Sequence, residues 1–377
     1  MIQVCKVKYE GEDSEEFGVG IGLRQGDALS PALFNIALES VMRETLDGAL
    51  GIKMRNDQQL VLPGYADDVI IMAESEEDLK RTTSKLIAEG ENIGLMDIDY
   101  FNVIPKPLEL CPEVPPGLSE TAPLIIPTIE TLEGVGKNLS WLVIRHGGHN
   151  TPIDCISRYK IAIIVPYRDR LQNLCTFLLN IHLFLTKQQL DYTIFVVEQF
   201  DGKLFNRGML MNVGFVEALK LSEFDCFFFH DVDLIPENEN NIYSCPQQPR
   251  HMSVAVDKLD YKLPHDNIFG GVIGISRHHF QLVNGFSNRF WGWGGEDDDL
   301  ASRVKFHDLH ITRYPSNIAR YRMLNHVQQA INPHRFELLL SGQKWFKTDG
   351  LNSLKYQIKS VERLPLYTHV LVDLTKS

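Results

Sequence analysis

Apolar and polar positions follow a strong α/β rhythm between residues 159 and 230. Tyr159–Val165 is an apolar run of strand length. Arg168–Lys187 then repeats apolar residues at helical spacing, with Leu171, Leu174, Leu178 and Ile181 on one face. Tyr192–Glu198 reads as a second strand, Asn206–Leu221 as a second helix, and Cys226–His230 as a third strand carrying Phe227, Phe228 and Phe229. Unbroken apolar strands alternating with helices predict a parallel sheet buried on both faces. The first hundred residues carry a weaker pattern. Ser30 is placed to cap a helix that starts at Pro31 and turns Phe34, Leu38, Val41 and Met42 to one side. VLPGYADDVIIMAES reads as strand, turn, strand, with Asp67 and Asp68 at the turn, and Ser75 caps a further helix to about Glu89. Between these regions, Pro105, Pro107, Pro112, Pro115, Pro116, Pro123 and Pro127 interrupt any periodicity, as in a stem. The predicted organisation is an N-terminal fragment over 1–97, a linker over 98–158 and an α/β domain over 159–377.

Composition narrows the picture. The 377 residues are 44% hydrophobic and 23% charged, ordinary values for folded globular protein. A net charge of -12 argues against a chain built as a whole to bind nucleic acid. No run of about 18 apolar residues predicts a membrane span, and the first residues lack the apolar centre of a signal peptide. The six cysteines show no zinc spacing; two disulfides with two thiols left over is one compatible arrangement. Asn138-Leu139-Ser140 is a glycosylation triplet.

The chemistry concentrates in WGWGGEDDDL, Trp291 to Leu300. Tryptophan faces stack on sugar rings, glycines admit a ligand close to the backbone, and carboxylates bind hydroxyls or take a proton from one. An acidic helix start explains Asp298 and Asp299 but not Trp291 and Trp293 beside the glycines. In an open parallel sheet, ligands bind beyond the carboxyl ends of the strands, where IVPYRDR and HDVDL both fall. Arg168 and Arg170 suit a diphosphate. Asp231 and Asp233 suit a ribose and a divalent cation, and Met323 with His326 would favour a softer ion such as manganese.

Two resemblances follow from these motifs. RQGDALSP followed by YADDVIIMAES resembles the palm of reverse transcriptases of non-LTR retrotransposons, over about residues 18–97. Polymerase chemistry takes carboxylates from two palm strands, and Tyr65-Ala66-Asp67-Asp68 supplies one. The resemblance implies a truncated α+β palm fragment without functional nucleic-acid binding, its partner strand expected upstream of Met1.

IAIIVPYRDR, LFNRGMLMNVGF, FFHDVDLIPENENNIY, QPRHMSVAVDK, FGGVIGISR, NGFSNRFWGWGGEDDDL, NPHRFELL and DGLNSLKY together resemble the β-1,4-galactosyltransferase family, over roughly residues 104–377. This implies a Rossmann-like GT-A fold, an inverting mechanism, a UDP-sugar donor, a terminal N-acetylglucosamine acceptor on glycoprotein or glycolipid, and Mn2+. Position by position, it implies that Pro166, Arg168, Arg170, Phe205, Arg207, Val232, Asp233, Lys258, Ile268 and Trp293 bind the UDP-sugar. Asp233, Met323 and His326 would be the metal ligands, and Asp297 the base with Glu296 beside it. Gly295, Glu296, Asp297, Arg335, Phe336 and Leu339 would meet the acceptor. The implied disulfides are Cys111–Cys155 and Cys226–Cys245, leaving Cys175 a buried thiol, and the implied location is the lumenal face of the Golgi membrane. Two departures accompany the resemblance. The stretch from His326 to Asn332 is short for the family's loop, and a reverse-transcriptase-like segment stands where a tail and signal anchor are expected. Galactosyl-transferring relatives typically carry tyrosine just before the FGG triplet. Ile268 at that position has less bulk and no hydroxyl against C2 of the donor, which predicts UDP-N-acetylgalactosamine over UDP-galactose as donor. The isoform of this type in invertebrates would make GalNAcβ1-4GlcNAc.

Overall fold

The computed structural model describes residues 108–128, 131–200, 202–327 and 329–374, and only short backbone strands before residue 108. The chain divides into two compact units, Met1–Pro107 and Leu108–Ser377. In the first, Gln3–Cys5 pairs antiparallel with Phe17–Val19, Lys8–Tyr9 with Glu12–Asp13, and Ile52–Lys53 with Gln59–Leu60. Gly64–Tyr65 pairs antiparallel with Asp68–Val69, so Asp68 opens the second strand, while Asp67 lies outside the described residues. The helices expected after Ser30 and Ser75 lie outside the described residues.

The second unit opens with helix α1 (Leu132–Asn138) and strand β1 (His149–Asn150), followed by β2 (Lys160–Tyr167), α2 (Leu171–Lys187), β3 (Asp191–Gln199), α3 (Arg207–Leu221) and β4 (Cys226–His230). There follow β5 (Leu234–Pro236), β6 (Arg250–His251), β7 (Ala255–Val256), β8 (Val272–Ser276), α4 (Arg277–Leu282) and α5 (Glu296–Phe306). The chain ends with β9 (Thr312–Arg313), β10 (Arg320–Met323), α6 (Arg335–Ser341), β11 (Tyr356–Arg363) and β12 (Thr368–Leu374). The main sheet has nine strands in the order β9-β6-β8-β4-β2-β3-β12-β11, with β1 also on β3. Its centre, β4-β2-β3-β12, is parallel, while β8 on one side and β11 on the other run antiparallel. A small sheet, β5-β10-β7, lies beside it in the chain's path from β4 to α6.

The parallel centre explains why its strands are apolar throughout. Ile161, Ile163 and Val165 of β2 pack with Leu174, Leu178 and Ile181 of α2, while Ala162 and Ile164 pack with Met209, Leu210 and Val213 of α3. Phe227 and Phe229 of β4 face the α3 side and Phe228 the α2 side, all fully buried. Each such burial contributes about 1.5–3 kcal/mol. Helix α3 lies so close that a Cβ on Gly214 would stand 2.3 Å from Ile164 Cγ2.

Two expectations shift. The helix expected from Arg168 begins at Leu171, because Asp169 adopts φ 51° and turns the chain out of helical geometry. The proline-rich stretch is not an open stem from residue 108 onward. Val135 and Leu139 are buried in the α2-side core, β1 pairs with β3, and Cys111 bonds Cys155. Prolines remove regular structure there but leave apolar side chains free to pack. The second disulfide is Cys226–Cys245, and Cys175 is buried outside any disulfide. Among the described residues no helix is long and apolar enough to cross a membrane.

Candidate active site

Beyond the carboxyl ends of β2 and β4 lies a pocket of about 460 Å³. The turn after β2 brings Pro166, Arg168 and Arg170 to its wall. Arg168 donates from Nη1 to Lys203 O at 2.8 Å, and its guanidinium stands 5.3 Å from the Phe205 ring centre. Phe205 and Arg207 enter at the start of α3, which begins there because the Asn206 side chain accepts from Met209 N at 2.9 Å. Asp231, Val232 and Asp233 line the pocket directly after β4, with Lys258 after β7 and Gly271 before β8. Gly292, Trp293, Glu296 and Asp297 supply another wall, and Met323, His326 and Gln329 a further one.

The four carboxylates at the start of α5 have separate partners. Asp299 turns inward to buried Arg303, 2.6 Å from its Nε, and Arg303 also donates to Asp349 O at 2.7 Å. Glu296 accepts from Arg207 Nη1 at 3.3 Å, while Arg207 Nε donates to Asp231 Oδ1 at 2.6 Å. Asp297 lines the pocket, and Asp298 is half-buried. Glycine makes room for this arrangement at two places. Gly295 precedes α5 at φ 102°, where a Cβ would meet Phe290 at 2.7 Å. A Cβ on Gly270 would stand 2.3 Å from Asp297 Oδ2.

Burial dominates the electrostatics. It pushes the Glu296 carboxyl up to about 7, reinforced by Asp297 and opposed by Arg207. Burial likewise raises Asp233, with Asp231 adding to the rise and His326 and Arg170 opposing it. His326 Nδ1 lies 2.6 Å and Arg170 Nη1 3.3 Å from Asp233 Oδ2. No group of three His, Cys, Asp or Glu with metal spacing occurs among the described residues. Here the donor set is one carboxylate, one imidazole and one thioether, since Met323 lines the same pocket. Oxygen, nitrogen and sulfur together fit a borderline divalent ion better than magnesium.

Of the expected acceptor residues, Glu296 and Asp297 line the pocket with Trp293, which is half-exposed, and Arg335 stands against it. The Arg335 guanidinium stands 5.3 Å from the Trp293 ring centre and 4.7 Å from that of Phe336. Its Nη1 is buried without a hydrogen-bond partner among the described residues. Phe336 is exposed and Leu339 half-buried on the same helix α6. The Trp293 segment is held to the short stretch after His326, with Trp293 N donating to Ala330 O at 2.8 Å and Asn332 N to Trp293 O at 3.0 Å.

One of the expected donor-binding residues stands apart. Ile268 is not among the residues lining the pocket; its carbonyl accepts from Arg313 Nη2 at 2.9 Å. The chain turns at Gly271, φ 73°, and that glycine is the residue of the FGG segment on the pocket wall. Sequence reading missed Gly271, Gly292 and Gln329. Both glycines lay inside motifs it had already singled out, whereas nothing around Gln329 marked it.

A parallel α/β centre, a DxD turn beyond β4 and an aromatic-acidic wall define a GT-A glycosyltransferase fold with a nucleotide-sugar site. Residues 111–246 match the family described as N-terminal region of glycosyl transferase group 7, and residues 250–327 the one described as N-terminal domain of galactosyltransferase. β-1,4-Galactosyltransferase 4 of Cricetulus griseus is 44% identical over 70% of this chain and 76% of its own length. β-1,4-Galactosyltransferase 1 of Bos taurus is 46% identical over 61% of this chain and 58% of its own. The chain belongs to the β-1,4-galactosyltransferase family. A solved Drosophila β-1,4-galactosyltransferase 7 variant in complex with manganese, UDP-Gal and xylobiose is 29% identical, with a TM-score of 0.47 over 58% of this chain and 95% of that one. Residues 1–96 match the family described as reverse transcriptase (RNA-dependent DNA polymerase).

Proposed function

We propose that the second unit transfers a hexose from a UDP-sugar to the 4-hydroxyl of a terminal N-acetylglucosamine with inversion, giving a β-1,4 linkage, and that the hexose is galactose. The observation carrying this is Asp297 in one pocket with Arg168, Arg170, Asp233, Met323 and His326. A manganese ion held by Asp233, Met323 and His326 would neutralise the diphosphate leaving group. Arg168 and Arg170 bind diphosphate oxygens, and Phe205, Arg207, Val232 and Lys258 border the nucleotide. Asp297 takes the proton of the attacking hydroxyl as its oxygen bonds to C1 of the donor and the C1–O bond to UDP breaks. Glu296, half-protonated near neutrality, holds the acceptor by donating as well as accepting. Trp293 covers the sugars, and the unpaired Arg335 Nη1 beside Phe336 suits the acetamido oxygen. Galactose rests on the names of the relatives. The two disulfides support a lumenal Golgi location, since such bonds persist in oxidising compartments.

A second reading, N-acetylgalactosamine as donor sugar, rests on Ile268. It is not in the pocket wall, so it would act only after the FGG segment closes on the donor. Competing UDP-galactose against UDP-N-acetylgalactosamine with manganese tests both. Galactose transfer by the wild type supports the first reading. A wild-type preference for N-acetylgalactosamine, reversed by Ile268→Tyr, replaces it with the second. Transfer of neither sugar defeats the whole proposal.

A further inference from the structure

Asn138-Leu139-Ser140 is the only Asn-x-Ser/Thr triplet in the chain with x other than proline. The fold splits this triplet by side. Leu139 is buried at 2% exposure, while Asn138 and Ser140 on either side are exposed. The Asn138 side chain forms no hydrogen bond among the described residues, so nothing in the fold uses it. One residue further, Trp141 is 70% exposed, and Val143 beyond it 66%. Trp141 thus sets a large aromatic surface in water beside a glycan-attachment triplet. Sugar rings present apolar C–H faces that stack on indole.

We propose that Asn138 carries an N-linked glycan whose innermost sugars shield Trp141. The co-reactant is an oligosaccharide linked through a diphosphate to a polyisoprenyl lipid. The Asn138 Nδ2 bonds to C1 of the first sugar, the C1–O bond to the lipid diphosphate breaks, and the amide proton passes to the base of the transferring enzyme. In the folded state Asn138 is the last residue of α1 and Ser140 N donates back to Lys137 O at 3.3 Å. That is not the extended shape in which the hydroxyl of Ser140 reaches the Asn138 amide. Transfer therefore precedes folding of this segment, and the fold permits the delay. A seven-residue helix is not stable alone. The helix α2 against which Val135 and Leu139 pack begins at Leu171, and the Cys111 partner is Cys155. All of these emerge later in synthesis. Once folded, the glycan stands clear of the donor pocket, because no residue of α1 or of 139–143 lines it.

The test expresses the full chain behind a cleavable secretion signal in a eukaryotic host, with a control glycosylation triplet appended at the C-terminus to report entry into the lumen. Whole-cell lysate is read before and after peptide-N-glycosidase treatment, so retention of the protein does not matter. The expected result is two glycans in the wild type and one in both Asn138→Gln and Ser140→Ala, with mass spectrometry finding Asn138 converted to aspartate by the release. A wild type bearing only the control glycan, or variants that keep two, overturns the proposal.

Discussion

Asp297 depends on the absence of a side chain at Gly270. Gly270→Ala would put a methyl 2.3 Å from Asp297 Oδ2, so the carboxylate must move. Displacing a catalytic group by about 1 Å costs on the order of 10²-fold in rate. The expected outcome is a kcat loss of that order with UDP binding retained, measured by steady-state kinetics and calorimetry; an unchanged kcat would show that Asp297 is not the base. Glu296 makes a prediction about pH. Its folded pKa, about 7, lies above the ordinary 4.5, so the folded state disfavours its charge. Its contribution is absent below pH 4.5 and becomes destabilising as pH rises to about 7. Denaturant midpoints of Glu296→Gln relative to wild type should therefore rise across that window, and a flat difference contradicts the assignment. At this scale most of the site was legible because contiguous motifs carry it. Ile268 lies off the pocket wall while Gly271 lines it, a difference of orientation within NIFGG that a sequence string does not carry. The Asp299–Arg303–Asp349 lock was hidden because its members come from α5 and from the turn before β11, close only after folding.

The elements were legible where burial on both faces makes a strand apolar throughout. Cys226–His230 was read with its observed ends, and β2 and β3 within two residues. The start of α2 was not, since a left-handed Asp169 carries no apolar signature. Nor was the packing of residues 108–158, whose prolines conceal Val135 and Leu139. Close packing makes two glycines behave oppositely. Alanine in place of a helical glycine normally stabilises by about 1 kcal/mol. Gly136→Ala in α1 should do so, as nothing lies within 4 Å of the added Cβ. Gly214→Ala in α3 should destabilise instead, because its Cβ would overlap Ile164 at 2.3 Å. Thermal melting of the two variants checks the pair, and equal shifts would contradict the packing.

For the second unit as a whole, buried neutral histidines set the acid limit. His182 Nε2 donates to Leu366 O at 2.8 Å, His230 Nδ1 to Asp231 O at 2.9 Å, and His251 Nε2 to Gly270 O at 3.0 Å. Burial lowers these imidazoles to about 4, about 4 and about 3 from an ordinary 6.5. The stability they confer is present above pH 6.5 and lost as pH falls through about 4. Chemical denaturation along that range should show a steep decline, reduced in a His182→Gln variant; a pH-independent midpoint would contradict the burial. Deprotonation of the acceptor by Asp297 in an inverting transfer can be measured directly. The full chain and Asp297→Asn are each incubated with manganese, UDP-galactose, UDP-N-acetylgalactosamine and N-acetylglucosamine, while UDP binding is followed and the product linkage is read by nuclear magnetic resonance. The expected result is a β-1,4 disaccharide from the wild type, a rate lower by about 10²–10⁴-fold in the variant, and unchanged UDP affinity. An α-linked product, or a variant as fast as the wild type, would contradict it.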